Sequence, residues 1–455
     1  MTSKQHTIIA FLLISSLLSF FRIDIPGMTK AEEQFSLHWG ILSIFGTTPL
    51  NADSWGAFAD QAPYLSLGET PFVNPPLPMW GMVAWTKIMG ETLPITRFLS
   101  CILAMISLIS MYFISKFIGK AQHAMFASGF LAGSLLWNDS ARQASPEIWG
   151  ITFFLVSMAL ILWLIRNNGN GIIKPIFIST ILIGSIASLM LSSFISILMF
   201  VILALLLLVM KKPSKMQFIF LISSLILGIG LGYIWFIRMD LPFFSQIIDS
   251  LKHAQYIPRA IDIQTILIDC SLLPFFAVGI YSGLQSLIQK KQRITFMISM
   301  SWFILAYVIT GFSFVILPSF ILIAIYGLNN MDELIQSIKV KWICISLSFL
   351  IAACGIAPRL LDGLSQLILH QQLSIYGIIP SMAILFILAT VLLFNAEKLR
   401  LLFYTAMSRI FITLVVAAMI KVAFANFLGK TRRSPDALAV EKDKNALYYS
   451  RNQII

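Results

Sequence analysis

Two adjacent carboxylates, Glu32 and Glu33, follow Thr29 at the start of an amphipathic run, and Asp24 stands a little before them. Further along, Arg142 and Glu147 share the polar stretch 138–147, and Arg97 opens a long apolar run. Asn74 directly precedes Pro75-Pro76. A carboxylate fixed on a helix can take the proton of an attacking hydroxyl. A guanidinium can grip a phosphate with two parallel N–H donors. Asn74 can hydrogen-bond a phosphate but supplies no charge.

Each of these residues also has a purely structural role open to it. Thr29-Lys30-Ala31-Glu32 reads as a capping box, with Glu32 returning to a backbone N–H. Glu33 is a first-turn acid that the helix dipole favours. Asp24 can pair with Arg22, and Arg142 with Glu147. Arg97 can anchor its helix at an interface.

Cys101, Cys270, Cys344 and Cys354 are scattered, as are the five histidines, so no metal cluster or disulfide framework is indicated. The formal charge is +12. Its basic residues fall in short bursts between apolar runs, the pattern of cytoplasmic loops rather than of a nucleic-acid surface.

The elements that must position these residues are membrane helices. Hydrophobic residues make up 58% of the 455 and charged residues 11%, and mean hydropathy is +0.87. Soluble domains carry about 25% charged residues. A spanning helix needs roughly 20 apolar residues. About thirteen such runs are legible, near 7–21, 97–115, 121–137, 148–165, 173–190, 193–210, 217–237, 264–288, 294–310, 312–328, 342–357, 374–394 and 404–424. Lipid offers backbone groups no partner, so these spans must be α-helical. The first span lacks a cleavage pattern at Ser19-Phe20-Phe21-Arg22 and reads as an uncleaved anchor.

Basic bursts at Lys116/Lys120, Arg166/Lys174, Lys211/Lys212/Lys215, Lys290/Lys291/Arg293, Lys339/Lys341 and Lys398/Arg400 follow alternate spans. With Lys4 they fall on one side, which predicts a cytoplasmic N-terminus and a periplasmic first loop, 22–96. Within that loop, Phe35, Trp39, Leu42 and Phe45 recur at helical spacing, and Pro75-Pro76 open a second apolar segment with Trp80 and Trp85. Both read as helices lying on the membrane surface. Residues 138–147, 238–263 and 358–373 read as further external loops. The chain divides into a membrane domain, 1–424, and a short polar tail, 425–455, placed outside.

The order of parts resembles the GT-C type membrane glycosyltransferases that use polyprenyl-phosphate sugars. This group holds the protein O-mannosyltransferases and the bacterial aminoarabinose transferase acting on lipid A. The resemblance rests on an anchor, an acidic surface helix, an x-Pro-Pro helix, Thr96-Arg97-Phe98, Ser115-Lys116-Phe117-Ile118-Gly119-Lys120 and Ala141-Arg142 with Glu147 beyond. It is strongest over 1–165. Phe314-Val315-Ile316-Leu317-Pro318-Ser319-Phe320 is similar to the family's RYLLPLYP stretch, and 437–451 to a shortened terminal domain.

The resemblance implies an all-α fold with about 13 spans and two juxtamembrane helices. It implies transfer of a sugar from a polyprenyl-phosphate carrier to an acceptor hydroxyl of a protein, lipid A or a glycan. The setting is the periplasmic face of a bacterial inner membrane, with no further cofactor. Glu32 and Glu33 become the candidate catalytic bases, Arg142 and Asn74 the donor-phosphate ligands, and Glu147, Arg97 and Asp24 supporting residues. Three family anchors are replaced. Ala31 stands at the leading Asp of DExxY, Asn74 at the Lys of KPP, and Gly311-Phe312-Ser313 where a basic residue precedes YLLP. Arg238, Lys252 and Arg259 are the replacement cations on offer. The same departures fit an altered relative that binds carrier or partner without turnover. A transporter or flippase fits fewer features, because its ionisable residues belong inside spans, where only Asp269, Arg409 and Lys421 fall.

Overall fold

The computed structural model describes residues 17, 20, 76–90, 93–118, 124–142, 144, 147–166, 173–211, 213–238, 272–289, 293–310, 314–334 and 419. The surface helix expected at 30–46, the spans at 342–357, 374–394 and 404–424, and the tail 425–455 lie outside these residues. So do Asp24, Glu32, Glu33 and Asn74. The regular elements among the described residues are all helices, with no strand among them.

Helix α1, Pro76–Met89, is the second surface helix predicted from the sequence. Proline suits its first turn, where an N–H would lack an intrahelical acceptor. Its 14 residues extend about 21 Å, short of the hydrocarbon core. Gly90 ends it in the left-handed region (φ 101°), with its N–H donating to the Thr86 carbonyl at 2.8 Å.

The long helix α2, Leu93–Ile118, follows. Its buried stripe is small or polar: Arg97, Ser100, Cys101, Ala104 and Ser107. Phe98, Ile109 and Phe113 are exposed on the remaining surface, as suits lipid. The ring of Phe20, in the first predicted span, packs edge-on against Phe98 with centroids 5.0 Å apart.

The span expected at 121–137 is instead two short helices, α3 Ala124–Ala132 and α4 Leu135–Arg142. Ser134 causes the break. Its hydroxyl accepts from the Trp137 N–H at 3.2 Å, the N-cap geometry that starts a new helix. Residues 138–142, read as loop, therefore belong to α4.

Helices α5 Glu147–Arg166, α6 Ile173–Met190, α7 Phe194–Lys211, α8 Lys215–Arg238 and α10 Arg293–Thr310 match the predicted spans closely. Helix α9, Leu273–Gln289, covers the later part of the span expected at 264–288, and residues 264–271 lie outside the described residues. The expected span at 312–328 opens as a 3-10 turn, Phe314–Ile316, and continues as α11, Leu317–Leu334. Among the described residues three stretches are long and apolar enough to cross a bilayer: Pro94–Ile118, Glu147–Arg166 and Lys215–Ile234.

Membrane helices gain little from the hydrophobic effect against one another, so close packing and interhelical hydrogen bonds hold them. Ser107 and Thr152 join α2 to α5 at 2.8 Å, and Ser157 and Ser185 join α5 to α6 at 2.7 Å. Gly279 of α9 meets the Ile323 carbonyl of α11, and Gly327 returns the contact at Phe275. Those two backbones touch.

Candidate functional site

The two ends of the bundle differ. At one end Arg166 Nη1 donates to the Lys116 carbonyl at 3.0 Å, joining the last turns of α5 and α2. Gln217 Nε2 donates to the Leu164 and Ile165 carbonyls at 3.2 and 3.1 Å, bringing the start of α8 alongside. Lys116, Arg166, Lys211 and Lys215 all belong to helix termini at this end.

The opposite end holds the candidate site. There α1 crosses the bundle, fixed at three places. The Leu77 N–H donates to the Leu191 carbonyl at 3.0 Å, in the turn between α6 and α7. Gly81 faces the indole of Trp149 near the start of α5, leaving no room for a Cβ. Met82 and Val83 pack with Ala144 and Leu99. Trp85 Nε1 then bonds the Ile95 carbonyl at 2.8 Å, and its ring stacks on Phe98 with centroids 6.1 Å apart. Gly150 is pressed against Ser193, where an added Cβ would come within 2.6 Å of the serine's own. The first turn of α5 is thereby clamped from two sides.

Two cations are buried at this end of the bundle. Arg97 is 3% exposed and Arg142 is 5% exposed. Cys101 stands one turn beyond Arg97 on α2. Its thiol approaches the Ala141 carbonyl at 3.7 Å, which brings that turn of α2 against the residue before Arg142. Arg142 is the last residue of α4, where a cation offsets the negative helix end. Helix packing alone does not require the residue to be buried, and buried charge is costly unless it has ionic or hydrogen-bonding company.

The turn Phe314–Ile316 packs on α4. The segment similar to the family's YLLP stretch is thus brought beside α4, across a long separation in sequence. Ser319 Oγ donates back to the Ile316 carbonyl at 2.8 Å and steadies the start of α11.

Among the candidates read from the sequence, Arg97 and Arg142 come together. Glu147 begins α5 and is exposed, so it and buried Arg142 occupy different environments. Glu32, Glu33, Asp24 and Asn74 lie outside the described residues. Three buried residues at this end were not singled out as site residues: Ser100, Cys101 and Trp149. The signal for the first two was present, because Arg97, Ser100, Cys101 and Ala104 recur at helical spacing on an otherwise apolar helix. Trp149 carried no such signal. Among the described residues no group of His, Cys, Asp or Glu is arranged to hold a metal.

The described helices define an all-α polytopic membrane fold of the GT-C type. In particular, the chain is similar to ArnT from Cupriavidus metallidurans bound to undecaprenyl phosphate, with a TM-score of 0.57, 13% identity, and coverage of 94% of this chain and 79% of that one. Apo ArnT from the same organism matches with a TM-score of 0.53 at 14% identity, covering 94% and 78%. No family model matches the sequence. No curated protein matches it either.

Proposed function

We propose that the chain is a membrane glycosyltransferase that moves a sugar from a polyprenyl-phosphate carrier to an acceptor hydroxyl. The observation that carries this reading is the pair of buried guanidinium groups, Arg97 and Arg142, at the end of the bundle that α1 crosses. A phosphate leaving group gains negative charge as the sugar departs, and preorganised cations in a dry site stabilise it well. The fold shared with a structure of ArnT holding undecaprenyl phosphate supports the same ligand class.

Arg142 is assigned to the donor phosphate, with Arg97 in support. Asn74 adds a neutral hydrogen bond. Glu32, or its neighbour Glu33, takes the acceptor proton, and Asp24 and Glu147 shape the field around them. The acceptor is a protein, lipid A or a glycan hydroxyl. The basic helix termini gather at the opposite end, which supports placing the site at the periplasmic face of a bacterial inner membrane with the N-terminus in the cytoplasm. The Phe20–Phe98 contact starts the 22–96 loop, which carries the three carboxylates, beside the first turns of α2.

Ala31, where the family has its leading Asp, favours one second reading, namely a relative that binds the carrier without turnover. Complementation separates the two. Envelope glycans of a deletion strain are profiled by mass spectrometry after return of the wild type, of Arg142→Ala, or of Glu32→Gln combined with Glu33→Gln. Transfer predicts that only the wild type restores a missing glycan. A fully active double variant removes the base from this helix. An unchanged glycan profile in the deletion strain, alongside carrier binding by the purified chain, selects the second reading.

A further inference from the structure

Beside the two arginines lie two buried polar groups that the packing does not satisfy. Ser100 Oγ and Trp149 Nε1 are each inaccessible and lack a hydrogen-bond partner among the described residues. Ser100 is 0% exposed and Trp149 is 6% exposed. Within a membrane helix a serine ordinarily folds its hydroxyl back onto the carbonyl one turn earlier. Ser107 and Ser110 do so on this same helix, at 3.1 and 2.8 Å. Ser100 forgoes that bond. The Trp149 indole abuts Gly81 of α1 at the outer edge of its six-membered ring, so the ring cannot shift toward α1 without displacing that helix.

Their placement joins them to the arginines. Ser100 sits one turn beyond Arg97 and next to Cys101, whose thiol touches the residue preceding Arg142. Leu99, on the other side of Ser100, packs with Ala144 and α1, and α1 is the helix that receives Trp149. An unsatisfied donor in a dry site is costly. Ser100, within one turn of buried Arg97, and Trp149, in the first turn of α5 at the same end of the bundle, are explained by a ligand that satisfies them.

The donor set names that ligand's chemistry. Guanidinium and indole can only donate, and a serine hydroxyl can also donate. A group rich in acceptor oxygens and carrying negative charge fits all four. Resting on the function proposed above, we infer that Ser100 and Trp149 are neutral donors to the phosphate of the lipid carrier, completing a four-residue head-group site with Arg97 and Arg142. They position the phosphate without adding charge, in a site where three family anchors are replaced by uncharged residues.

The test measures affinity and unliganded stability separately, on the purified full chain in detergent, with three probes: undecaprenyl phosphate, undecaprenol and inorganic phosphate. Ser100→Ala is nearly isosteric, and Trp149→Phe keeps an aromatic ring without the N–H. Each should weaken undecaprenyl phosphate binding by about tenfold, the effect of one hydrogen bond to a charged group. Undecaprenol binding should not change. The melting temperature of the unliganded Ser100→Ala protein should hold or rise, since the variant removes an unsatisfied group. Wild-type affinity in Ser100→Ala, with binding lost in Arg142→Ala, overturns this inference and leaves the proposed function standing. Wild-type affinity in Arg142→Ala overturns both. Equal weakening toward undecaprenol assigns the residues to the isoprenoid instead and overturns the inference. Saturation by inorganic phosphate without competition from undecaprenyl phosphate overturns the lipid as the source.

Discussion

Gly81 of α1 abuts the outer edge of the six-membered ring of Trp149 on α5, with no space between them for a methyl group. This contact fixes the surface helix against Trp149, the indole assigned above to the carrier phosphate. Gly81→Ala should force either α1 or the indole to move. Overpacking of this kind typically costs about 1–3 kcal/mol. The expected result is a lowered melting temperature together with weaker binding of undecaprenyl phosphate. Wild-type values for both would show that α1 does not rest on Trp149.

Ser107 and Thr152 test the bundle itself. Thr152 Oγ1 bonds its own Ile148 carbonyl at 2.6 Å and lies 2.8 Å from Ser107 Oγ. Interhelical hydrogen bonds in membranes average about 0.6 kcal/mol in double-mutant cycles. A cycle of Ser107→Ala and Thr152→Val, read by thermal unfolding, should give a coupling of about that size. A coupling indistinguishable from zero would mean that α2 and α5 are not in this register.

Much of this architecture was legible because length and hydropathy are enough to specify a spanning helix. Residues 173–190 were bounded by Arg166 and two glycines on one side and by Ser192-Ser193 on the other, and α6 occupies that span. The break between α3 and α4 was not legible. An apolar run containing Gly133-Ser134 looks continuous to a hydropathy count, and the N-cap that interrupts it depends on one serine hydroxyl. The site was legible in its charges, Arg97 and Arg142, since charge is conspicuous in an apolar chain. It was not legible in Trp149, because tryptophan at a span's edge is common and only the Gly81 contact distinguishes this one.

Gln217 offers a local stability test at the basic end. Its amide caps α5 by donating to the Leu164 and Ile165 carbonyls, groups that helix ends leave without partners. Gln217→Leu keeps the volume and removes both bonds, together with the one its Oε1 accepts from the Ser214 N–H at 3.0 Å. It should destabilise the chain by about 1–2 kcal/mol and leave undecaprenyl phosphate affinity unchanged, because the cap lies at the far end from the arginines. An altered affinity with an unchanged melting temperature would contradict that separation.

Sidedness follows from two exposed lysines. Lys87 lies on α1 and Lys215 begins α8 at the other end of the bundle. In a background lacking the native cysteines, Lys87→Cys should react with a membrane-impermeant maleimide in intact spheroplasts. Lys215→Cys should react only after the membrane is opened. The reverse pattern would put the site on the cytoplasmic side and remove the proposed periplasmic reaction.

Arg142→Lys separates charge from geometry at the phosphate. Arginine offers a planar fork whose donors match two phosphate oxygens, whereas lysine is a compact point charge on a flexible stem. If Arg142 served only to offset the end of α4, lysine would substitute nearly fully, since the dipole responds to charge. If it grips the phosphate, lysine should retain part of the affinity and alanine very little. Losing one partner of a buried, hydrogen-bonded charge pair costs about 2–5 kcal/mol, or roughly 30- to several-thousand-fold. The expected order of undecaprenyl phosphate affinity is therefore arginine, then lysine about tenfold weaker, then alanine weaker by at least a further factor of a few. The lysine variant should also fold as stably as the wild type, because Cys101 and the Ala141 carbonyl keep their contact whichever cation follows. Equal affinity for arginine and lysine would reduce Arg142 to a helix-end charge and leave the phosphate to other residues.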